Sequence, residues 1–193
     1  STAGLWVDLP YSDNYLTFKL GSLDLANAPL QKGGFLINQT VTVDLRKGTP
    51  RLFDIADKLA AVPRSVREKA TAGGTITVNT GEFISSAGSK VDVSGGGYRY
   101  GDGMAITTYL TSRGRLYDIA TAPVNLQYDG VVTRTTPAKG YVQGKSAGLL
   151  AIDAQQMILG GHFAAGVTTG PYQRAPGAMP TAGKLVLGTQ SIL

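Results

Sequence analysis

Three short segments of the chain share one frame. "GTITV" (74–78), "GLLAI" (148–152) and "GKLVL" (183–187) each set a glycine two residues before one apolar side chain and four before a second. Aligned on the glycine, Ile76, Leu150 and Leu185 fall together, as do Val78, Ile152 and Leu187. In two of the segments a further apolar pair follows, Phe83–Ile84 and Met157–Ile158. Such alternation has the two-residue period of a strand with one face buried and one wet. "QTVTVDL" (39–45) repeats it, with Val41, Val43 and Leu45 against Thr40, Thr42 and Asp44, and "GSLDLANAPL" does so through Leu23 and Leu25. The units recur in one orientation and no Asn-Gly hairpin signal separates them, which favours parallel stacking over a meander or sandwich. Ordinary parallel sheets are covered by helices on both faces and read as continuous apolar runs, unlike these half-polar strands. The pattern therefore predicts an all-β fold, a parallel β-helix whose coils stack aliphatic rows inside while Gly, Ser and Asn turn the corners.

Two regions interrupt the frame. In "TPRLFDIADKLAAVPRSVREKATAGG", Thr49 can cap a helix, Pro50 suits its first position, and Leu52, Ile55, Ala56 and Leu59 form one apolar face. Pro63 ends that helix and Ser65 caps a further short turn through Lys69. The second region, 98–145, is too long for one coil and holds six of the nine tyrosines; "MAITTYL" and "GRLYDIA" within it read as strands. The expected organisation is a single β-helical segment of a larger chain: coils over 1–48, a helical excursion over 49–72 (its helical part near 50–69), a coil over 73–97, elaborated coils or loops over 98–145, and coils over 146–193. Open coil ends leave unpaired sheet edges, so self-association through those ends is expected too.

Composition narrows the function. Charged residues make up 16% of the chain, cysteine is absent, and the 26 glycines are scattered, about twice what average usage of roughly 7% would give. No disulfide framework or thiolate metal site is available. The net charge of +5 comes from Lys and Arg spread without a dense run, and the densest zone, Arg46 to Lys69, also carries Asp54, Asp57 and Glu68, so no nucleic-acid footprint is expected. The opening "STAGLWVDLP" has no basic or apolar signal-peptide region and reads as the interior of a longer chain.

No catalytic, cofactor or metal site is assigned. His162, the sole histidine, lies in "LGGHFAAG" without clustered carboxylates, and Ser94 in "VSGGG" does not meet the nucleophile-elbow pattern. A polysaccharide lyase or hydrolase needs two acids, and an exposed sheet could bring Asp44, Asp92 and Asp153 together, but each stands singly beside a strand or turn, as solvated charges do. "GGGYRYGDG" meets neither the calcium nonapeptide nor the P-loop pattern. The one candidate ligand or partner surface is aromatic and cationic: Tyr98, Tyr100 and Tyr109, with Arg99 nearby.

The ordered series "LQKGGFLINQTVTVDLRKGTP", "TAGGTITVNTGEF", "GSKVDVSGGGYRYGDG" and "TTYLTSRGRLYDIATA", followed by "GYVQGKSAGLLAI" and "GPYQRAPGAMPTAGKLVLG", resembles a downstream region of filamentous-haemagglutinin-family exoproteins. The resemblance spans roughly residues 20–190; "YDGVVTRTTPAKGY" (128–141) departs from it by being shorter, and no amino-terminal secretion signature is present. It implies a right-handed parallel β-helix (solenoid) within a large bacterial protein secreted to the cell surface by an outer-membrane β-barrel partner. The implied role is adhesion, haemagglutination or biofilm formation, non-enzymatic, with host or bacterial surface glycans or proteins as ligands. A β-helical polysaccharide-active enzyme and a phage or filament structural protein are the alternatives.

Overall fold

The three frames lie side by side. In the computed structural model, which describes residues 1–175 and 177–188, they begin three strands of one sheet. In chain order the elements are β1 (Trp6–Leu9), β2 (Tyr15–Lys19), β3 (Thr40–Asp44), α1 (Ala56–Ala60) and α2 (Val66–Lys69). There follow β4 (Thr75–Ser85), β5 (Lys90–Asp92), β6 (Gly97–Tyr100), β7 (Gly103–Ser112) and β8 (Arg115–Asp118). The chain continues through β9 (Gly130–Ala138), β10 (Tyr141–Gly144), β11 (Leu149–Leu159), β12 (His162–Ala164) and β13 (Lys184–Gly188). Residues 189–193, the end of the last expected coil, lie outside the described residues.

The parallel β-helix is not what forms. The described residues make five small sheets of two or three strands, with no solenoid and no closed sheet. The physical reason is chain reversal. β2 and β3, β7 with β8 and β9, and β6 with β10 all pair antiparallel, which a uniformly wound chain does not allow.

The chain divides into two units, each drawn from separated stretches of sequence. The first comprises residues 1–9, 64–100 and 141 onward. Here β11 pairs parallel with β4 and β13, aligning Ile76, Leu150 and Leu185, then Val78, Ile152 and Leu187, and further along Phe83 with Met157. The alignment of the frames thus survives although the solenoid does not. Leu150, Ile152 and Ala154 are buried, and Ile76, Val78, Phe83, Val91, Met157 and Phe163 pack on them. β5 and β12 pair parallel, as do β1 and β6.

Glycines set the spacing of this unit. Gly148 donates its backbone N–H to Val93 O at 2.7 Å, and a Cβ there would overlap the carbonyl oxygen of Gly74. Gly73 donates to Ser146 O at 2.9 Å, and a Cβ on it would run into Val93 O. Backbone approaches backbone at these corners, which only glycine permits.

The second unit comprises residues 10–63 and 101–140. β2 and β3 form one antiparallel pair, and β8, β7 and β9 form a three-stranded antiparallel sheet in that order. Val41 and Val43 face the core as the alternation predicts, joined by Leu25, Leu52, Phe53, Ile55, Leu110 and Tyr128. Arg46 is the polar knot of this unit. Its Nε and Nη2 donate to the two carboxylate oxygens of Asp44 at 2.8 and 2.7 Å, and Nη1 and Nη2 to the hydroxyls of Tyr11 (2.6 Å) and Tyr15 (3.0 Å).

Two local readings change. "GSLDLANAPL" is a run of turns, not a strand: Leu25 is fully buried while Leu23 is 89% exposed. Asp24 accepts from the Gly21 backbone at 2.8 Å and pairs with Lys58, and Ala26 and Ala28 donate back three residues, which curls the segment. The first helix begins at Ala56 instead of Pro50, because Leu52 and Phe53 are both buried in non-helical chain and Asp54 accepts the Ala56 N–H at 2.8 Å. The Ser65 cap forms as expected: its side chain accepts from Glu68 N while Glu68 accepts from Ser65 N, a capping box. "MAITTYL" and "GRLYDIA" fall largely in β7 and β8, which form a hairpin.

Candidate functional site: an aromatic row on a three-stranded sheet

β6 is the middle strand of its sheet, parallel to β1 and antiparallel to β10. The register sets Val7, Tyr98 and Gln143 abreast, and two residues on Leu9, Tyr100 and Tyr141. Side chains alternate across a strand, so Tyr98, Tyr100 and Tyr141 share one face, while Trp6, Asp8, Arg99 and Val142 share the other.

The rings make a continuous row. Tyr98 and Tyr100 have centroids 6.3 Å apart in an edge-on arrangement, Tyr100 and Tyr141 stack at 4.7 Å with 20° between planes, and Tyr141 meets Tyr172 edge-on at 4.7 Å. These are favourable geometries for ring quadrupoles. Burial grades along the row: Tyr98 is 8% exposed and Tyr172 56%. The Tyr98 hydroxyl donates at 3.1 Å to the carbonyl of Glu68, a member of the α2 capping box, so the short helix anchors the inner end.

Gln173 anchors the outer end. Its Oε1 accepts from Gly144 N (2.9 Å) and Gly170 N (3.0 Å), and its Nε2 donates to Gly144 O at 2.9 Å. The side chain is buried, and it ties the loop that carries Tyr172 to the end of β10. A Cβ on Gly97 would overlap Gln143 O and lie 3.0 Å from the Trp6 ring, so glycine is required where the indole crosses the sheet.

The predicted surface residues separate into three environments. Tyr98 and Tyr100 belong to the row. Arg99 lies on the opposite face, its guanidinium 4.8 Å from the Trp6 ring and 3.7 Å from Asp8 Oδ1 in an exposed pair worth little. Tyr109 is on β7 in the other unit, half-buried, with Arg134 over its ring at 5.4 Å. Tyr141, Tyr172, Lys145 and Gln173 complete the arrangement and were absent from the sequence-derived set. The alternation Tyr98-x-Tyr100 was the usable local signal, since it excludes Arg99 from that face; the cross-strand partners carry no local signal.

Lys145 brings a cation to the inner end, its ammonium 5.1 Å from the Tyr98 centroid. Burial, with the Arg64 guanidinium adding repulsion, holds its pKa below the usual lysine value.

Of the carboxylates considered for catalysis, Asp44 and Asp92 are held in ion pairs. Asp44 lies in the second unit and is held by Arg46. Asp92 pairs with Lys90 and accepts from Ser94 N, which hold it well below the usual carboxylate range, and Asp153 sits on β11 opposite Asn79 and Gly188. His162 is exposed on β12, opposite Lys90. Among the described residues no three His, Asp or Glu side chains gather as a metal site would require. Compared with known protein families, curated proteins and solved structures, the chain gives no match.

Proposed function

We propose that the chain is a non-enzymatic structural and display segment of a large secreted bacterial surface adhesin, and that the row Tyr98–Tyr100–Tyr141–Tyr172 is the surface it displays. The observation that carries this reading is the grading of the row, anchored by buried Tyr98 at one end and open at Tyr172 (56% exposed) at the other, on a sheet clamped by Gln173. Tyrosine rings give large contact area at small entropic cost, which suits recognition of surface glycans or proteins. The ordered motifs that resemble filamentous-haemagglutinin-family exoproteins support export of the parent chain through an outer-membrane β-barrel partner to the cell surface.

Beads coated with the purified chain test the reading. They are expected to adhere to epithelial or bacterial cells, with Tyr172→Ala lowering adherence several-fold and Tyr109→Ala leaving it unchanged. Adherence no better than an albumin coat overturns the reading, as does turnover of uronate or neutral glycans that Asp92→Asn or Asp153→Asn abolishes. Mass spectrometry of culture fractions is expected to find the peptide in a large secreted or surface polypeptide; a small intracellular parent contradicts it.

A further inference from the structure

Lys145 is a feature of the aromatic face that packing among the described residues does not account for. Its ammonium rests against the Tyr98 ring, half-buried, and no carboxylate or carbonyl among the described residues takes a hydrogen bond from it. Burial disfavours its charged form, and the repulsion it feels from another cation, Arg64, acts in the same direction. Arg64 itself acts on the carboxylate of Glu68, which Ser65 already holds through its backbone and hydroxyl. A partly desolvated cation facing an aromatic ring, with no anion of its own, is stabilised when an anion is supplied from outside.

The surroundings say what kind of anion fits. Lys145 directly follows Gly144, the residue gripped by Gln173, so the ammonium and the Tyr172 loop are fixed to the same point of the backbone. Beside the cation runs the row of rings, with Tyr141 half-buried and Tyr172 open. A lone inorganic anion would use the ammonium and leave the rings idle. A ligand with an acidic group at one end and flat, apolar C–H faces beyond it uses both.

We propose that Lys145, backed by Tyr98 and flanked by the Tyr100–Tyr141–Tyr172 row, is a binding site for acidic saccharides, the carboxylate or sulfate meeting the ammonium and the sugar rings meeting the tyrosines. The proposal rests on the display reading above and names the ligand class of the same surface. Arg99, on the far side of the sheet, takes no part.

The test is calorimetric titration of the purified chain, in 0.15 M salt, with an oligogalacturonate, a heparin-derived oligosaccharide and a neutral cello-oligosaccharide of matched length. At least one acidic sugar is expected to bind tenfold or more tighter than the neutral one, and which of them does so separates carboxylate from sulfate recognition. Lys145→Met, which keeps the stem and removes the charge, is expected to abolish the preference, and Lys145→Arg to retain it. Lys184→Met removes the same charge from β13 and is expected to leave the preference intact; an equal loss there assigns binding to the net positive charge and overturns the site. Equal affinity for acidic and neutral sugars, or an unaltered preference in Lys145→Met, also overturns it. Should Lys145→Met misfold, the wild-type chain answers: bound acidic sugar is expected to protect the Lys145 amine from acylation in peptide mass spectra, and no protection sinks the proposal. Beads that adhere without any acidic preference defeat this inference and leave the display reading standing, whereas acidic-sugar binding without cell adherence does the reverse.

Discussion

The unit formed by residues 10–63 and 101–140 gathers thirteen buried residues into one apolar cluster, while the unit formed by 1–9, 64–100 and 141 onward gathers three among its described residues. The first depends on side chains drawn from antiparallel strands and turns. The second depends on backbone laid against backbone, as in the bonds from Gly4 N to Ser94 O, Gly96 N to Thr71 O and Lys145 N to Gly96 O at 2.8–2.9 Å. One chain thus uses two ways to offset conformational entropy: burying apolar area, and satisfying polar backbone in close-set strands with little apolar area to bury.

If that contrast holds, the largest single loss should come from the richer core. Phe53 is fully buried, edge-on to Phe18 at 5.7 Å, and Phe53→Ala is expected to cost about 4 kcal/mol. Hydrogen exchange should report the loss of protection within 10–63 and 101–140. Equal loss through β4 and β11 would break the comparison by making the two cores one cooperative structure.

The thinner core predicts a different weak point. Gly148→Ala places a methyl into the Gly74 carbonyl, where both neighbours are backbone and cannot yield, and is expected to cost about 3 kcal/mol. Gly81→Ala, on β4 with open space where its Cβ would lie, is expected to change stability by less than about 0.5 kcal/mol. Urea midpoints of the two variants check this, and similar midpoints would remove close backbone approach from the account of this unit.

Alkaline pH probes the unit formed by residues 10–63 and 101–140. Tyr128 is buried with its hydroxyl donating to Pro123 O at 2.7 Å, and burial, with Tyr117 contributing, pushes its pKa up to about 12 from 10.0. Between those values the unfolded chain has lost the phenol proton and the folded chain keeps it, so this contribution is whole below pH 10 and falls as the pH rises to about 12. Tyr15 is raised by burial in the same sense. Urea midpoints should therefore decline across this range, with a shallower decline in Tyr128→Phe; equal slopes in the two proteins would refute the assignment.

What could be read from sequence was what is local. The two-residue period marked β3, β4, β11 and β13, and its glycine frame placed Ile76, Leu150 and Leu185 in one row, because side-chain alternation is fixed by the strand itself. The Ser65 cap was equally local. Direction of pairing was not, since it depends on where the chain reverses; taking a shared orientation of frames for uniform winding produced the β-helix. Leu23 and Leu25 kept the period of a strand inside a series of turns, where Asp24 directs the backbone. Of the candidate site, Tyr98 and Tyr100 were legible. Tyr141, Tyr172 and Lys145 were not, because β10 and the Gln173 clamp bring them there from more than forty residues away.

The missed reversal has its own small test. β7 and β8 are joined by Arg113 and Gly114 alone, with φ of 49° and 76°, the pair of positive values that primed two-residue hairpins require. The turn carries Arg-Gly where Asn-Gly would mark a hairpin, and arginine rarely takes that conformation, so the reversal has no local signature. The turn is held from outside: Asp129 accepts from Arg113 N at 3.2 Å and from the Thr111 hydroxyl at 2.6 Å. Arg113→Asn keeps both contacts and replaces a strained residue with one that favours positive φ, so it is expected to stabilise by about 0.5 kcal/mol. Arg113→Val, β-branched at the same φ, is expected to cost about 1–2 kcal/mol. The gain should appear as slower exchange at the β7–β8 amides. If Arg113→Asn destabilises instead, the arginine side chain contributes more than its backbone, and the hairpin does not owe its form to Asp129 and the turn alone.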